Sequence, residues 1–355
     1  MATTGENAVV AVRLNSQLLT RPSARSVEAV VGRLLAVQAQ DARGARLAVR
    51  SRTSGLAASD VDDALSPRRS LVTTWLNRGT LQLVTAEDYW WLHALATPQL
   101  ATANNRRLRQ EGVSDAQAAR GVAIVVEAVT ADGPQTREQL RGRLDAAGVP
   151  TAGQALVHVL MAASLRGHIV RGPRIGNENA YVSVPAWLGS GTAPLDRNEA
   201  LARLARRYLA SHGPATAQDL GKWAGVPLGD ARRGVEAIAD EVIPFGDGLV
   251  VLAGNAEAAS LPPPRLLGPF DPILHGWASR APFVGEHAGV VTAHGVFRAV
   301  ALVNGRVVAT WGLRGGIVSI TPLEPIPPGA IDALVDDAAD VLRFLGLPSR
   351  PAVVN

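Results

Sequence analysis

The sequence predicts a predominantly helical α+β protein in which a helical unit closed by a β-hairpin is repeated along the chain. The main observation is a repeat: GPQTREQL begins at Gly133 and GPATAQDL begins at Gly213, so both copies read Gly-Pro-x-Thr-x-x-x-Leu. Each copy then reaches the tetrapeptide AGVP. The second observation is a change of character after Pro262-Pro263-Pro264, where segments typical of β-strands follow one another. Because a repeat determines the architecture, we divide the chain by it.

The copy that begins at Gly133 predicts three helices and a hairpin. Gly-Pro ends the first helix, and Thr136 is then placed to cap a second helix, with Gln139 three residues later. AGVP marks a turn before the third helix. The flanking elements are helices over 120–130 and 152–166 and strands over 168–172 and 180–184.

The copy that begins at Gly213 predicts the same order, with Thr216 and Asp219 as the capping pair. Its elements are helices over 198–211 and 228–241 and strands over 242–245 and 249–253. Three helices followed by a hairpin form the winged-helix plan, in which one helix can enter the major groove of DNA. Winged helices also serve as spacers between proteins, and that alternative stays open here.

The N-terminal part predicts a looser third copy of the unit. Ser59-Asp60 supplies a helix cap, and two strands flank the turn Asn77-Arg78-Gly79. The helix that follows carries Trp90 and Trp91, which we expect to pack rather than to stack on a ligand. The predicted helices cover 14–19, 26–37, 61–64 and 86–95, the last continuing toward Arg109, and the strands cover 71–76 and 81–84.

The C-terminal part predicts a small β region, a partial barrel, and a closing helix over 329–345. Asn304-Gly305 between two alternating segments is a strong signal for a hairpin. The predicted strands cover 289–292, 296–303, 306–313 and 317–322. The whole chain thus predicts three tandem winged helix-turn-helix modules over 1–115, 116–195 and 196–260, followed by this region over 261–355.

The composition excludes several kinds of site. The chain has no cysteine, which removes disulfides, thiolate metal ligands and a cysteine nucleophile. The seven histidines have no spacing typical of a metal site, so we expect neither a metal nor another cofactor. We find no signal peptide and no apolar run long enough for a membrane span, and we expect a cytoplasmic protein located on the nucleoid.

The charge of the chain indicates a polyanionic partner. The formal net charge is +4 and the sequence pI is about 10.2. Lys222 is the one lysine, so the basic side chains are otherwise arginines, whose planar guanidinium suits phosphate. A GC-rich genome would also enrich arginine, and charge alone does not separate these two explanations.

Four separated stretches resemble the winged-helix DNA glycosylases of the AlkZ/YcaQ superfamily. They are RLLAVQAQDARGARLAVRSR from Arg33, TWLNRGTLQLV from Thr74, LLGPFDPILHGWASR from Leu266 and GVFRAVALVNGRVVATW from Gly295. The likeness covers nearly all of the chain in the same order. The sequence departs from the family pattern at Gln82, Ile273 and His275, and these departures concern the choice of substrate more than the reaction.

The resemblance implies three tandem winged helices and a β-rich C-terminal part that form a concave surface for DNA. It also implies hydrolysis of alkylpurine N-glycosidic bonds without a metal. The family motif is Gln-x-Gln in the AlkZ-like branch and Gln-x-Asp in the YcaQ-like branch, and Gln38-Ala39-Gln40 matches the first. That branch includes self-resistance enzymes that unhook bulky adducts of DNA-alkylating antibiotics. The expected partner is double-stranded DNA with alkylated purines, and we expect a monomer.

The two glutamines suit a substrate whose leaving group is already cationic. Glutamine is too weak a base to activate water strongly, but an N7- or N3-alkylated purine leaves without an acid. Gln40 is assigned to positioning water, and Gln38 to water or to the sugar. In one continuous helix the two side chains would point roughly 200° apart, so both reach one site only if the helix ends there. Asp41 and Gly44 favour such an ending.

Other candidates follow from the remaining motifs. Asp271, in PFDP, either orients a glutamine, stabilises charge or caps a turn. His294 either lies on a hairpin that contacts DNA or is simply an exposed loop histidine. The candidate phosphate contacts are Arg78, Arg298 and Arg306. A lyase step would need an amine, and Lys222 lies in the third module rather than beside the motif. The N-terminal amine stays an alternative, and we favour simple hydrolysis that leaves an abasic site.

Two other functions stay open from the sequence. A transcription regulator without enzymatic activity would explain the winged helices and the basic charge, although regulators usually recognise palindromes as dimers. A scaffold for protein interactions would explain the modules without any affinity for DNA.

Overall fold

The computed structural model describes residues 4–20, 24–176, 178–191, 195–257 and 260–355. The helices are α1 Thr4–Ser16, α2 Val27–Leu34, α3 Ala42–Arg50, α4 Ala58–Leu65, α5 Ala86–Gln110, α6 Asp115–Ala131, α7 Arg137–Ala146, α8 Ala155–Leu165, α9 Val184–Leu188, α10 Arg197–His212, α11 Ala217–Ala224, α12 Leu228–Glu236, α13 Ala281–Val284 and α14 Pro328–Phe344. The strands are β1 Val37–Gln38, β2 Leu71–Leu76, β3 Thr80–Thr85, β4 Ile169–Ile175, β5 Glu178–Ser183, β6 Val242–Pro244, β7 Val250–Leu252, β8 Arg265–Leu267, β9 Val300–Val303, β10 Arg306–Arg314, β11 Ile317–Pro322 and β12 Val353–Val354.

The predicted fold class is confirmed, because the chain is a predominantly helical α+β protein with repeated winged-helix modules and a C-terminal β region. The chain separates into two compact units, one formed by Met1–Asp62 with Leu201–Asn355 and the other by Asp63–Ala200. The four module boundaries proposed above stay a prediction. In the described ranges, no helix is both long and apolar enough to cross a membrane.

The unit Asp63–Ala200 is built around two hairpins that share one sheet. β2 pairs with β3, β4 pairs with β5, and Thr73 of β2 pairs with Arg171 of β4, all antiparallel. Helices α5, α6 and α8 pack together and bury an apolar core that includes Leu108, Val125 and Leu160. Trp91 is buried as expected, and Trp90 packs against Gly191.

The predicted helix caps are present. Thr136 accepts from the backbone N–H of Gln139, whose side chain accepts in return, and Thr216 and Asp219 form the same box at α11. Of the predicted cap Ser59-Asp60, Asp60 accepts from the N–H of Ala57, 2.7 Å away, whereas Ser59 lies inside α4, which begins at Ala58. These contacts satisfy backbone donors that the first turn of a helix leaves free.

The C-terminal region forms an open five-stranded sheet with the order β12-β11-β10-β9-β8. The Asn304-Gly305 hairpin joins β9 to β10, and the closing helix α14 packs against β8. The predicted strand over 289–292 is wrong, because residues 288–290 form a helical turn and only Val291 bridges to Phe297. The helix predicted over 228–241 also ends earlier, at Glu236.

Candidate active site

The Gln38-Ala39-Gln40 segment lies between two helices rather than on one. The helix predicted over 26–37 ends at Leu34, because Leu35 adopts a φ of 67° that cannot continue a right-handed helix. The backbone is then extended over Val37–Gln38 and bends at Gln40, before α3 begins. The Nε2 of Gln38 donates a hydrogen bond to the Oε1 of Gln40. The requirement that the helix ends before the two amides converge is therefore met.

The two glutamines differ in exposure. Gln38 is buried, with 4% of its surface accessible, whereas Gln40 is exposed. Gln38 is thus part of the interior and Gln40 is at the surface, where water and a ligand can reach it. Asp41 follows at once and caps α3, because its carboxylate accepts from the N–H of Gly44, 2.7 Å away.

Two glycines bring α3 against the segment that carries PFDP. A methyl group placed on Gly44 would lie 2.3 Å from the carbonyl oxygen of Pro269, and one placed on Gly268 would lie 2.8 Å from the Cβ of Leu47. Neither site has room for a side chain, so the backbones touch directly. This contact holds the first turn of α3, and with it the glutamine motif, next to Pro269.

The other end of α3 is fixed by a buried arginine. Arg50 donates to the carboxylate of Asp337 at 2.9 Å and 3.0 Å, to Asp340 at 3.0 Å and to the carbonyl of Leu266 at 2.6 Å. Burial lowers the pKa of Arg50, but Asp337 and Asp340 outweigh that effect and raise it overall. A buried charge of this kind is stable only with such partners.

A second arginine pairs with Asp271, and both side chains are fully buried. The two guanidinium nitrogens of Arg52 lie 2.9 Å from the two carboxylate oxygens, and Arg52 also donates to Gln17. The carboxylate of Asp271 accepts from the N–H of Ile273 as well, at 3.1 Å. Asp271 therefore caps a turn and anchors Arg52, and its hydrogen bonds in the described part of the chain reach neither Gln38 nor Gln40.

Sequence reasoning missed Arg50 and Arg52 as parts of this site. The available signal was two arginines at the end of the apolar run LAVRSR, because an arginine inside an apolar segment needs a partner when it is buried. Their partners lie more than 200 residues away in the chain, beyond the reach of any local pattern.

An electropositive cavity of about 630 Å³ opens beside the motif. Arg43, Arg298 and Arg314 line it, together with Asp41, whose carboxylate is occupied in capping α3. The rest of its lining comes from Pro269, the segment Val296–Ala299, and residues of β10 and β11, of which Thr310, Ser319 and Thr321 are polar. A concave, cationic surface is suited to the phosphates of a nucleic acid.

Comparison with known proteins gives one consistent result. The protein-family model described as "DNA glycosylase AlkZ-like" matches residues 31–344. The chain belongs to the AlkZ-like DNA glycosylase family. A curated relative, the "Interstrand DNA cross-link repair glycosylase" of Streptomyces sahachiroi, is 28% identical over an alignment of 366 residues. The alignment covers 97% of this chain and 97% of the relative. The solved structure of the Streptomyces sahachiroi DNA glycosylase AlkZ matches all of both chains with a TM-score of 0.82 and 25% identity.

As a member of the AlkZ-like family, the chain is a DNA glycosylase, and the resemblance stated above is confirmed. The structure gives the predicted DNA contacts different positions. Arg298 lines the cavity, and His294 is exposed in the tight turn that Val291 and Phe297 close. Arg306 lies at the far end of β10 from Arg314, about 26 Å away for eight residues of strand. Arg78 occupies the exposed turn between β2 and β3, in the other compact unit.

Two cationic residues of the cavity were not singled out from the sequence. Arg43 follows the glutamine motif on α3, and Arg314 ends β10. Both are surface arginines in an arginine-rich chain, so only their arrangement around the cavity distinguishes them. The site thus combines a pair of amides with a cationic groove.

Proposed function

We propose that this glycosylase is monofunctional and hydrolyses the N-glycosidic bond of purines made cationic by alkylation at N7 or N3 in double-stranded DNA. The observation that supports the proposal is the pair of hydrogen-bonded glutamines beside an electropositive cavity. An alkylated purine leaves as a neutral base, so the enzyme needs no strong acid. It has to place water and favour positive charge on the sugar.

The hydrogen bond between the two amides supports a division of roles between them. The buried Gln38 donates to the Oε1 of Gln40 and so fixes the orientation of that amide. A carbonyl oxygen has two lone pairs, so Gln40 can still accept a hydrogen bond from an attacking water. Its dipole also faces positive charge that develops in an oxocarbenium-like transition state. Gln40 is the residue that contacts water, and Gln38 positions it.

The position of Lys222 supports simple hydrolysis. A lyase step forms a Schiff base with a primary amine. Lys222, the one lysine of the sequence, lies on α11 and donates to the carbonyl of Ala278 at 2.8 Å. The predicted product is therefore an abasic site with an intact strand.

Bulky adducts are the substrates that the open site favours. A cavity of about 630 Å³ falls in the range that accommodates a drug-sized group rather than a methyl alone. The curated relative is named for the repair of interstrand cross-links. The proposed role is thus DNA repair that includes unhooking of such adducts, as in self-resistance to a DNA-alkylating antibiotic, carried out by a monomer on the nucleoid.

The deciding experiment uses a duplex oligonucleotide that contains one N7-methylguanine, followed by alkaline cleavage of abasic sites. We expect strand breaks with the wild-type protein and a rate at least about 100-fold lower for Gln40→Ala, because removal of one positioning dipole costs roughly that much. Gln38→Ala should lower the rate by a smaller factor. The control Gln110→Ala removes an exposed glutamine on α5 and should leave the rate unchanged.

Two results would contradict the proposal. Tight binding of the duplex without release of the base would instead support the transcription regulator. Release of uracil at a rate similar to that of N7-methylguanine would show that the enzyme does not depend on a cationic leaving group.

A further inference from the structure

The aromatic rings of Phe270, His275 and Phe297 form a small cluster at the edge of the electropositive cavity. Phe297 lines the cavity, and its ring centroid lies 5.6 Å from that of Phe270 at an interplanar angle of 54°. His275 contacts Phe297 edge-on, with centroids 5.7 Å apart and an angle of 71°. Both phenylalanines are half-buried, although the chain has only five in all. Two of these rings are therefore partly open to solvent beside the arginines.

The backbone holds Phe270 in an unusual conformation. Its φ is 58°, in the left-handed region that is unfavourable for a bulky side chain. On one side Pro269 is pressed against Gly44, and on the other Asp271 is locked to Arg52. His275 donates from Nε2 to the carbonyl of Phe270 at 3.0 Å. A strained residue that its neighbours fix so firmly is typical of functional sites.

Arg280 supports the ring of Phe297. Its guanidinium carbon lies 5.2 Å from the ring centroid, a cation–π contact that covers part of one face. The ring is thus fixed by Phe270, His275 and Arg280, and its remaining surface lines the cavity. Rings beside a cationic groove are the combination that binds the bases and the backbone of a nucleic acid strand together.

We propose that Phe297, supported by Phe270 and Arg280, stacks against the alkylated purine, an assignment that rests on the proposed function. A cationic purine is attracted to the face of an aromatic ring more strongly than a neutral base. The positive charge leaves the base as the glycosidic bond breaks, so this attraction does not grow in the transition state. Phe297 therefore contributes to binding and selection of the damaged base rather than to the chemical step.

The test measures binding in a Gln40→Ala background, where the lesion stays intact. Two duplexes are compared: one contains N7-methylguanine, and the other has a tetrahydrofuran abasic analogue in its place. We expect the N7-methylguanine duplex to bind at least about fivefold more tightly, and Phe297→Leu to bring the ratio near one. Phe297→Tyr keeps a ring and should keep the ratio. Leu347→Ala, which also truncates an exposed apolar side chain but lies outside the cavity lining, is the control and should leave the ratio unchanged.

A kinetic readout with Gln40 intact separates stacking from a structural role. Phe297→Leu should raise the apparent dissociation constant about fivefold or more, with the single-turnover rate at saturating enzyme within about threefold of wild type. Phe297→Met fills similar volume without a ring and is used if Phe297→Leu does not fold by circular dichroism. A binding ratio that Phe297→Leu or Phe297→Met leaves unchanged would overturn the assignment.

The two proposals fail separately. If the wild-type protein releases no N7-methylguanine but the binding ratio depends on Phe297, the reaction is wrong and the stacking stands. If the base is released and the ratio is near one in the Gln40→Ala parent itself, the stacking is wrong and the reaction stands.

Discussion

The second and third winged-helix modules share the residues that start their second helix, but their third helices differ in how much of their surface is buried. In both, Gly-Pro is followed by a residue that bridges to the hairpin, Gln135 to Tyr181 and Ala215 to Val250. In both, a capping box then starts the next helix. The third helix differs: α8 is buried almost all round, whereas α12 buries only Asp230, Ala231 and Gly234.

The difference follows from the residues of the two helices. The sequence of α8, ALVHVLMAASL, is apolar apart from His158 and Ser164, and it packs against both α5 and α6. The sequence of α12, LGDARRGVE, leaves Leu228, Arg232 and Arg233 exposed. A helix that is apolar all round is a core element, and one with an exposed cationic face is available to a partner. The repeated Gly-Pro and capping residues thus specify the fold of each module. The composition of the third helix decides whether that helix is part of the core or is exposed to a partner.

A pair of leucines gives the largest expected contrast. Leu160 on α8 is fully buried, and Leu228 on α12 is 40% exposed. We expect Leu160→Ala to lower the free energy of unfolding by about 2–5 kcal/mol because it leaves a cavity. Leu228→Ala should change it by less than about 0.5 kcal/mol. Thermal denaturation of both variants checks this, and equal effects would contradict the assignment of α8 as a core helix.

Removal of a helix cap tests what the two modules share. Thr136→Ala and Thr216→Ala should each lower the free energy of unfolding by about 1 kcal/mol, because each leaves backbone N–H groups without a partner. The melting temperatures should fall by similar small amounts. Thr130→Ala, at an exposed position on α6, serves as the control. A cost confined to one module would show that the boxes are not equivalent.

The smallest effect concerns affinity for undamaged DNA. We expect Arg232→Ala on α12 to weaken binding and to reduce the slope of log K against log salt by about 1, since one phosphate contact is lost. Arg143→Ala, an exposed arginine on α7 that pairs with Asp132, should leave the slope unchanged. Equal slopes for the wild-type protein and Arg232→Ala would show that the exposed face of α12 does not meet the DNA backbone.

The elements that could be predicted are those with local causes. The capping boxes at Thr136 and Thr216, the Asn304-Gly305 hairpin and the helix that begins at Ala86 depend on residues within a few positions of each other. The helix before the motif was predicted too long because Leu35 continues the apolar periodicity although its backbone has left the helix. Periodicity records which side chains are buried and does not record such a change of φ.

The candidate site was predictable as a motif and not as an arrangement. The resemblance pointed to Gln38 and Gln40, but their mutual hydrogen bond depends on the extended backbone that follows α2. The contact of Gly44 with Pro269, and the pairing of Arg52 with Asp271, join segments more than 200 residues apart. Such contacts arise only from the tertiary fold, and no local composition anticipates them.

The partners of Arg50 on α14 have a consequence for biosynthesis. Asp337 and Asp340, which neutralise the cation at the end of α3, follow Arg50 by 287 and 290 residues and therefore leave the ribosome long after it. Until then a nascent chain holds Arg50 without its carboxylates and keeps it in water. The glutamine segment therefore gains this support only after α14 has been synthesised, so a product truncated before α14 would not assemble a working excision centre.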